Sequence, residues 1–472
     1  MLFNSLHFVA FFILVTTLYF LLEDKHRWKL LLISSCYFYM TFVPVYILIL
    51  GFTIVVDYFA GILIEQTPGK RKRLYLILSI IANVGVLAVF KYYNFLNDNL
   101  TYLLGSFGFQ NDVPYLSILL PIGLSFHTFQ AMSYTIEVYR GNQKAERHFG
   151  IYSLYVMFYP QLVAGPIERP QNMLPQFHAK HRFDYAEVVK GLQLMLWGLF
   201  KKVVIADRLA IYVDAVYDNP GQHSSITLIV ATIFFAFQIY CDFSGYSDIA
   251  LGAARVMGYK LMLNFRRPYL ATSIREFWSR WHISLSTWFR DYVYVPLGGN
   301  RVPIPRWYLN LFIVFMVSGL WHGASWTFII WGALHGLYQI FGIAFKGVSN
   351  TKILGSAVLS NLLHGMITFV LVCFAWIFFR ANHVDDALQI AGSILTLKAG
   401  SLFFGSIAGF AYSVLWILFL LLVEYTQEHY SEKIKVFANP AKAVRYAGYV
   451  TLIVLMLLFG VFNGGQFIYF QF

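Results

Sequence analysis

Apolar residues in this chain run on without alternation. Stretches such as LFNSLHFVAFFILVTTLYFLL from residue 2 and VLWILFLLLV from residue 414 lack the period-two pattern of a barrel strand. A helix crosses the hydrocarbon core with about 20 apolar residues. Backbone groups in lipid must bond internally, which leaves helices or closed barrels, and the unbroken runs select helices. Membrane helices are expected at about 2–22, 29–43, 45–64, 74–95, 115–138, 187–206, 225–250, 307–321, 324–345, 358–379, 407–424 and 444–463. The run at 149–163 is interrupted by Pro160 and followed by Gly165-Pro166, so it is expected to re-enter rather than cross. Pro44 is expected to split 29–64 into two short helices. The pattern predicts an all-α polytopic membrane protein with about 10–12 transmembrane helices plus re-entrant and interfacial ones.

Composition agrees. The 472 residues are 58% hydrophobic and 12% charged, against about 25% charged in an ordinary soluble domain. The first run has no basic leader and no small-residue cleavage site, and Glu23 and Asp24 follow it, so it is read as a retained span. The net charge of +12 fits cytoplasmic loops better than nucleic acid. GKRKR at 69–73 is placed in the cytoplasm, the loop 96–114 without Lys or Arg outside, and Arg140, Lys144 and Arg147 inside again. Residues 255–306 carry nine basic residues against Glu276 and Asp291, a net of +7, and are assigned to the cytoplasmic side. Cys36, Cys241 and Cys373 form no C-x-x-C pair. No repeat or linker divides the chain, which is read as one membrane domain over 1–472.

EFWSRWHISLSTWFRDY, from Glu276 to Tyr292, is not a spanning sequence. Trp278, Trp281, Leu285, Trp288 and Tyr292 are spaced 3, 4, 3, 4, one stripe of an amphipathic helix. Such a helix lies in the membrane–water boundary or lines a cavity mouth. His282 falls near the apolar stripe, facing the protein body. Pro296 and Gly298-Gly299 mark a tight loop after it.

One histidine stands apart. No charged residue lies between Arg306 and Lys346, yet GLWHGASW at 319–326 holds His322. Sixteen residues from Arg306 amount to roughly 24 Å of helix, which places His322 deep in the bilayer if Arg306 marks its edge. An ionisable group there is a functional candidate facing a cavity. Gly319, Gly323 and Ala324 let a ligand or another backbone approach, and Trp321 and Trp326 wall off lipid. Burial disfavours imidazolium, and a neutral imidazole can take a proton from a hydroxyl. His127, His335 and His364 also sit in apolar runs and are read as structural. Metal binding is not expected: His322 and His335 lie thirteen residues apart, and His178 and His181 lack a third ligand.

FWSRWHISLSTWFRDYVYVPLGGNR (277–301), SGLWHGASWTFIIWGALHG (318–336), FYPQLVAGPIERP (158–170), LPIGLSFHTFQAMSYTIEVYRG (120–141) and the terminal FIYFQF (467–472) resemble the membrane-bound O-acyltransferases. Within them the chain looks most like the bacterial AlgI and PatA branch, which supports O-acetylation of alginate, peptidoglycan or related polymers. The resemblance runs end to end, with core motifs over about 120–345. It implies a ring of tilted helices around a thin centre with a tunnel, in the bacterial cytoplasmic membrane. It maps the family's near-invariant histidine to His322 and a second family position to His282. It also implies acetyl-CoA as donor, no metal, and a separate SGNH-type O-acetyltransferase as partner on the outer side. Arg275, Arg280 and Arg290, with Trp281 and Trp321, are the expected donor contacts, since a basic funnel attracts phosphates.

Two rivals remain. A transporter of a lipid-linked sugar or acyl carrier would need no chemistry, but the paired broken helices of such proteins are not visible. A D-alanyl, protein or lipid acyltransferase would use the same core. Glu137, Asp242 and Asp248 are expected to pair with arginines and fix helices; Tyr240, Asp242 and Ser244 are further tunnel-lining candidates.

Overall fold

A computed structural model of the chain describes residues 1–117, 121–345, 356–430, 439, 441–462, 464–465 and 467–468. Every regular element among them is helical. Eight described helices are long and apolar enough to cross a membrane, among them Pro44–Gln66, Ser225–Val256, Ile304–His322, Trp326–Ala344 and Ile407–His429. Other expected spans are helical but shorter: Leu6–Leu21 has 16 residues, Asp24–Met40 has 17 and Leu124–Arg140 has 17. The run at 115–138 shortens because Pro121 and a left-handed Gly123 (φ 77°) start the helix at Leu124; residues 118–120 lie outside the described residues. Pro44 splits its run: Asp24–Met40 ends before it and a 3-10 turn, Pro44–Tyr46, leads into the next helix. The run at 149–163 gives only Phe149–Met157, after which the chain continues buried and irregular to Ile167.

The chain divides into two compact units. Residues 1–195 with 247–262 form one, and 196–246 with 263–472 the other. The first is held by aromatic contacts and by buried polar pairs. Asp57 accepts hydrogen bonds from Ser79 Oγ at 2.5 Å and Asn83 Nδ2 at 2.8 Å. Glu137 pairs with Arg140 at 3.2 Å, as expected, and also takes Gln171 at 2.7 Å.

The second unit contains both candidate histidines. In it, Ile304–His322 packs closely against Trp326–Ala344. Small residues set that approach: a Cβ on Gly319 would sit 2.4 Å from the Phe328 carbonyl oxygen, and one on Gly332 would sit 2.4 Å from the Phe315 carbonyl oxygen. Gly323 leaves room for the Phe328 ring, which a Cβ would meet at 2.1 Å. Of the two openings that these glycines offer, ligand or backbone, the space at Gly319 and Gly332 is taken by backbone.

The segment 276–292 departs from a single amphipathic helix. It forms two short helices, Ile274–Arg280 and Ile283–Phe289, then a π-turn, Arg290–Tyr294. The break falls on His282, which is left-handed with φ 43°. Trp278, Trp281, Leu285 and Trp288 are all buried, so the stripe packs into protein.

The glycine contact predicts that Gly319→Ala is destabilising by about 1–3 kcal/mol through overpacking. Gly342→Ala is the control: it lies in the partner helix with nothing within 4 Å of its Cβ position. Melting of the detergent-purified protein should fall for the first and not for the second.

Candidate active site

His322 is the last residue of the helix Ile304–His322, and the residue is 3% exposed. Its Nδ1 lies 2.7 Å from the carbonyl oxygen of Ser318, one turn back. A carbonyl only accepts, so Nδ1 carries the proton. In the neutral ring the lone pair is therefore on Nε2. Rings enclose it: Trp331 at 4.7 Å, Trp321 at 4.9 Å and Phe379 at 5.5 Å between centroids, each edge-on.

His282 reaches the same neighbourhood from another element. Its ring is 6.1 Å from Trp321, the residue adjoining His322. Its Nδ1 is 3.1 Å from Asn264 Oδ1. That oxygen also accepts the backbone N–H of Ser284 at 3.3 Å and the Ser284 hydroxyl at 2.8 Å. A backbone N–H can only donate, which fixes the amide orientation, so His282 too is protonated on Nδ1. Burial, reinforced by the nearby His322, holds its imidazole well below the usual histidine range.

The left-handed turn at His282 is costly for a residue with a Cβ, about 1–2 kcal/mol. It is clamped from both sides by backbone: Arg266 N–H donates to the Arg280 carbonyl at 2.8 Å and Ile283 N–H to the Asn264 carbonyl at 2.9 Å. Strain held in this way clusters at functional positions.

His335, read from sequence as structural, belongs to the same cluster. Trp278 Nε1–H donates to its Nδ1 at 3.2 Å, so its own proton sits on Nε2. Among the described residues, that nitrogen and Trp331 Nε1 are both buried without a hydrogen-bond partner, with the two rings 5.0 Å apart.

The arrangement joins two imidazoles with basic Nε2 atoms to two buried N–H groups. Family membership gives it a meaning. The model of the membrane-bound O-acyltransferase family matches residues 146–382, which include all of these groups. The chain belongs to that family. It is 38% identical to the peptidoglycan O-acetyltransferase of Helicobacter pylori, over 85% of this chain and 81% of the relative. It is 37% identical to the probable alginate O-acetylase AlgI of Pseudomonas aeruginosa, over 94% and 85%. A teichoic acid D-alanyltransferase of Bacillus subtilis is 27% identical over 55% and 69%. The protein is thus an O-acyltransferase with membrane-spanning helices.

The other expected site residues of this acyltransferase are spread out. Trp281 is buried in an aromatic cluster, 5.1 Å from Trp376 and 5.1 Å from Phe265. Arg280 is engaged by two carboxylates, Glu276 at 2.8 Å and Glu428 at 3.1 Å. Glu428 also pairs with Arg267 and, at 3.6 Å, with Arg266. Arg275 and Arg290 are exposed, Arg290 beside Asp291 at 2.8 Å. Trp326 is exposed, unlike Trp321. Of the terminal motif 467–472, residues 469–472 lie outside the described residues. Asp242 pairs with a lysine instead of the expected arginine: Lys202 bridges Asp242 at 2.5 Å and Asp207 at 2.8 Å. Tyr240 donates to Glu424, and Ser244 takes Lys201 Nζ at 2.8 Å. Among the described residues no group of three or more His, Cys, Asp or Glu side chains could hold a metal ion.

Asn264 had no signal in the sequence, being 18 residues from His282. Its role predicts that Asn264→Ala frees the His282 ring and slows acyl transfer about 10- to 100-fold, the scale of a small misplacement of a reacting group. Steady-state rates in the purified protein check this, with an unchanged melting temperature as control for folding.

Proposed function

We propose that this protein moves an acetyl group from cytoplasmic acetyl-CoA to a hydroxyl acceptor on the outer side of the bacterial cytoplasmic membrane, feeding O-acetylation of a cell-surface polysaccharide. The single observation that carries the chemistry is the 2.7 Å contact from His322 Nδ1 to the Ser318 carbonyl, which leaves Nε2 as a base. The names of the relatives, peptidoglycan and alginate O-acetylation, support acetyl as the group and a wall or exopolysaccharide as its destination. A separate SGNH-type transferase receiving the acetyl group outside is part of this reading.

The residues then have distinct work. His322 Nε2 takes the acceptor's hydroxyl proton, and the oxygen attacks the thioester carbonyl carbon. The C–S bond breaks, and the CoA thiolate recovers the proton from His322. His282, protonated on Nδ1, offers a lone pair at Nε2, which suits it to accept from and orient the acceptor hydroxyl. It is poorly suited to donate to the carbonyl oxygen. Trp331 Nε1–H and His335 Nε2–H are better donors for that oxygen, since preorganised buried N–H groups stabilise charge where it develops. Donor phosphates fall to the exposed Arg275 and Arg290; Arg280, already bound by Glu276 and Glu428, serves chiefly to fix its helix.

Purified full-length protein given acetyl-CoA, with free thiol followed, tests this reading. His322→Ala should cut thiol release about 10²- to 10⁴-fold, the usual worth of a general base. Trp331→Phe should lower kcat about 100-fold at unchanged donor KM, as for one lost oxyanion donor. Thiol release that survives His322→Ala contradicts the assignment, and none from the wild type would favour transport without chemistry.

A further inference from the structure

The stretch that ends in His282 begins with a second strained residue, and both lie in the second unit. Arg267 is left-handed, with φ 46°. Among the described residues other than glycine, only Arg267, His282 and Leu397 have a positive φ. Between the first two run a 3-10 turn, Pro268–Leu270, and the helix Ile274–Arg280. The base of this loop is closed by the two backbone bonds that clamp His282, Arg266 N–H to the Arg280 carbonyl and Ile283 N–H to the Asn264 carbonyl. Closing it brings the Arg266, Arg267 and Arg280 guanidinium groups to a single carboxylate. Three cations held so near one another repel, so the base needs an anion to stay shut.

That anion is Glu428. It comes from another element, the last turn of the helix Ile407–His429. Its Oε1 accepts from Arg280 Nη1 at 3.1 Å and lies 3.6 Å from Arg266 Nη2, while its Oε2 accepts from Arg267 Nη1. One carboxylate therefore spans both ends of the loop. The Glu428 and Arg280 side chains are only 14% and 15% exposed, and salt screens partly buried pairs less than exposed ones. A carboxylate in the last turn of a helix faces the negative end of the helix dipole, so the helix itself gives no reason for Glu428; the arginines do. Glu276 acts differently. It braces the loop from within, binding Arg280 at 2.8 Å and the Thr272 N–H and hydroxyl at 2.8 and 2.9 Å.

Resting on the acyl-transfer reading above, we infer that Glu428 is a positioning residue for the reaction. By holding Arg267 and Arg280 together it keeps the two backbone bonds made, the left-handed turn at His282 in place and the His282 ring against Asn264. It acts through the loop and not by contact with the reacting groups. His282 is two residues beyond Arg280, so a loop end that opens moves the imidazole with it, and a small misplacement of an orienting group lowers the rate sharply. Without the Glu428 charge, Glu276 is left as the only carboxylate paired with the three arginines among the described residues, and the two backbone bonds must hold against their repulsion.

The test uses the purified full-length chain and acetyl-CoA, with His322-dependent thiol release followed. Glu428→Gln, which keeps the shape and removes the charge, should lower kcat about tenfold while KM for acetyl-CoA moves less than about twofold. Glu428→Asp, which keeps the charge, should lose less than about threefold. In a His282→Gln background Glu428→Gln should cost less than about a further twofold, because residues that act through one another are not additive. The ¹⁵N spectrum of histidine-labelled protein gives a readout apart from activity: the His282 resonances, assigned by their loss in His282→Gln, should shift or broaden in Glu428→Gln. A full tenfold loss retained in the His282→Gln background overturns the inference. So does an effect confined to KM for acetyl-CoA, as from altered charge alone, or a His282 signal that Glu428→Gln leaves unchanged. Absence of any His322-dependent thiol release from the wild type overturns the acyl-transfer reading itself, and the His282 spectrum then decides the clamp on its own.

Discussion

The Ser318 carbonyl and the His322 imidazole are one helical turn apart, and the contact between them governs what the site can do. A buried neutral histidine is either a base or a donor at its outward nitrogen, depending on where its one proton sits. Here the helix supplies the answer through its own backbone, by the Ser318 carbonyl one turn back. The geometry depends on the helix ending at His322. There the chain turns through Gly323 and returns as Trp326–Ala344, with Gly319 and Gly332 allowing the two helices to touch. The glycines thus bring Trp331 to within 4.7 Å of the His322 ring.

The surrounding groups follow the same logic of fixing protons by local acceptors and donors. Asn264 holds the proton of His282 on Nδ1, and Trp278 leaves that of His335 on Nε2. Two basic nitrogens and two N–H donors result in a water-poor aromatic setting, where electrostatic effects are strong. The chemistry of acyl transfer needs both kinds: one to remove a proton, another to meet negative charge on the carbonyl oxygen.

Much of this was legible in the sequence, for physical reasons that can be named. Continuous apolar runs give helices because lipid permits little else, and the expected spans recur as helices. His322 stood out because nothing charged surrounds it over roughly forty residues. The motifs from 277 to 336 pointed to the family that the comparisons show. What escaped had no local signature. The 3, 4, 3, 4 stripe continues through His282 unchanged, so periodicity could not reveal the left-handed break that tertiary clamping imposes there. Asn264, Trp278 and Trp331 acquire their roles only by folding. Asp242 finds Lys202 because a π-turn at Lys201–Ala206 lies within reach, and the capture of Arg280 by Glu428, 148 residues away, has no local signal in the segment 255–306.

The most direct measurement is the ¹⁵N spectrum of the full-length protein labelled at histidine, with the His322 resonances assigned by their loss in His322→Gln. A protonated Nδ1 beside an unprotonated Nε2 at neutral pH is the result predicted here. A proton on Nε2, or a ring doubly protonated, would contradict the account, because His322 could then not accept the hydroxyl proton.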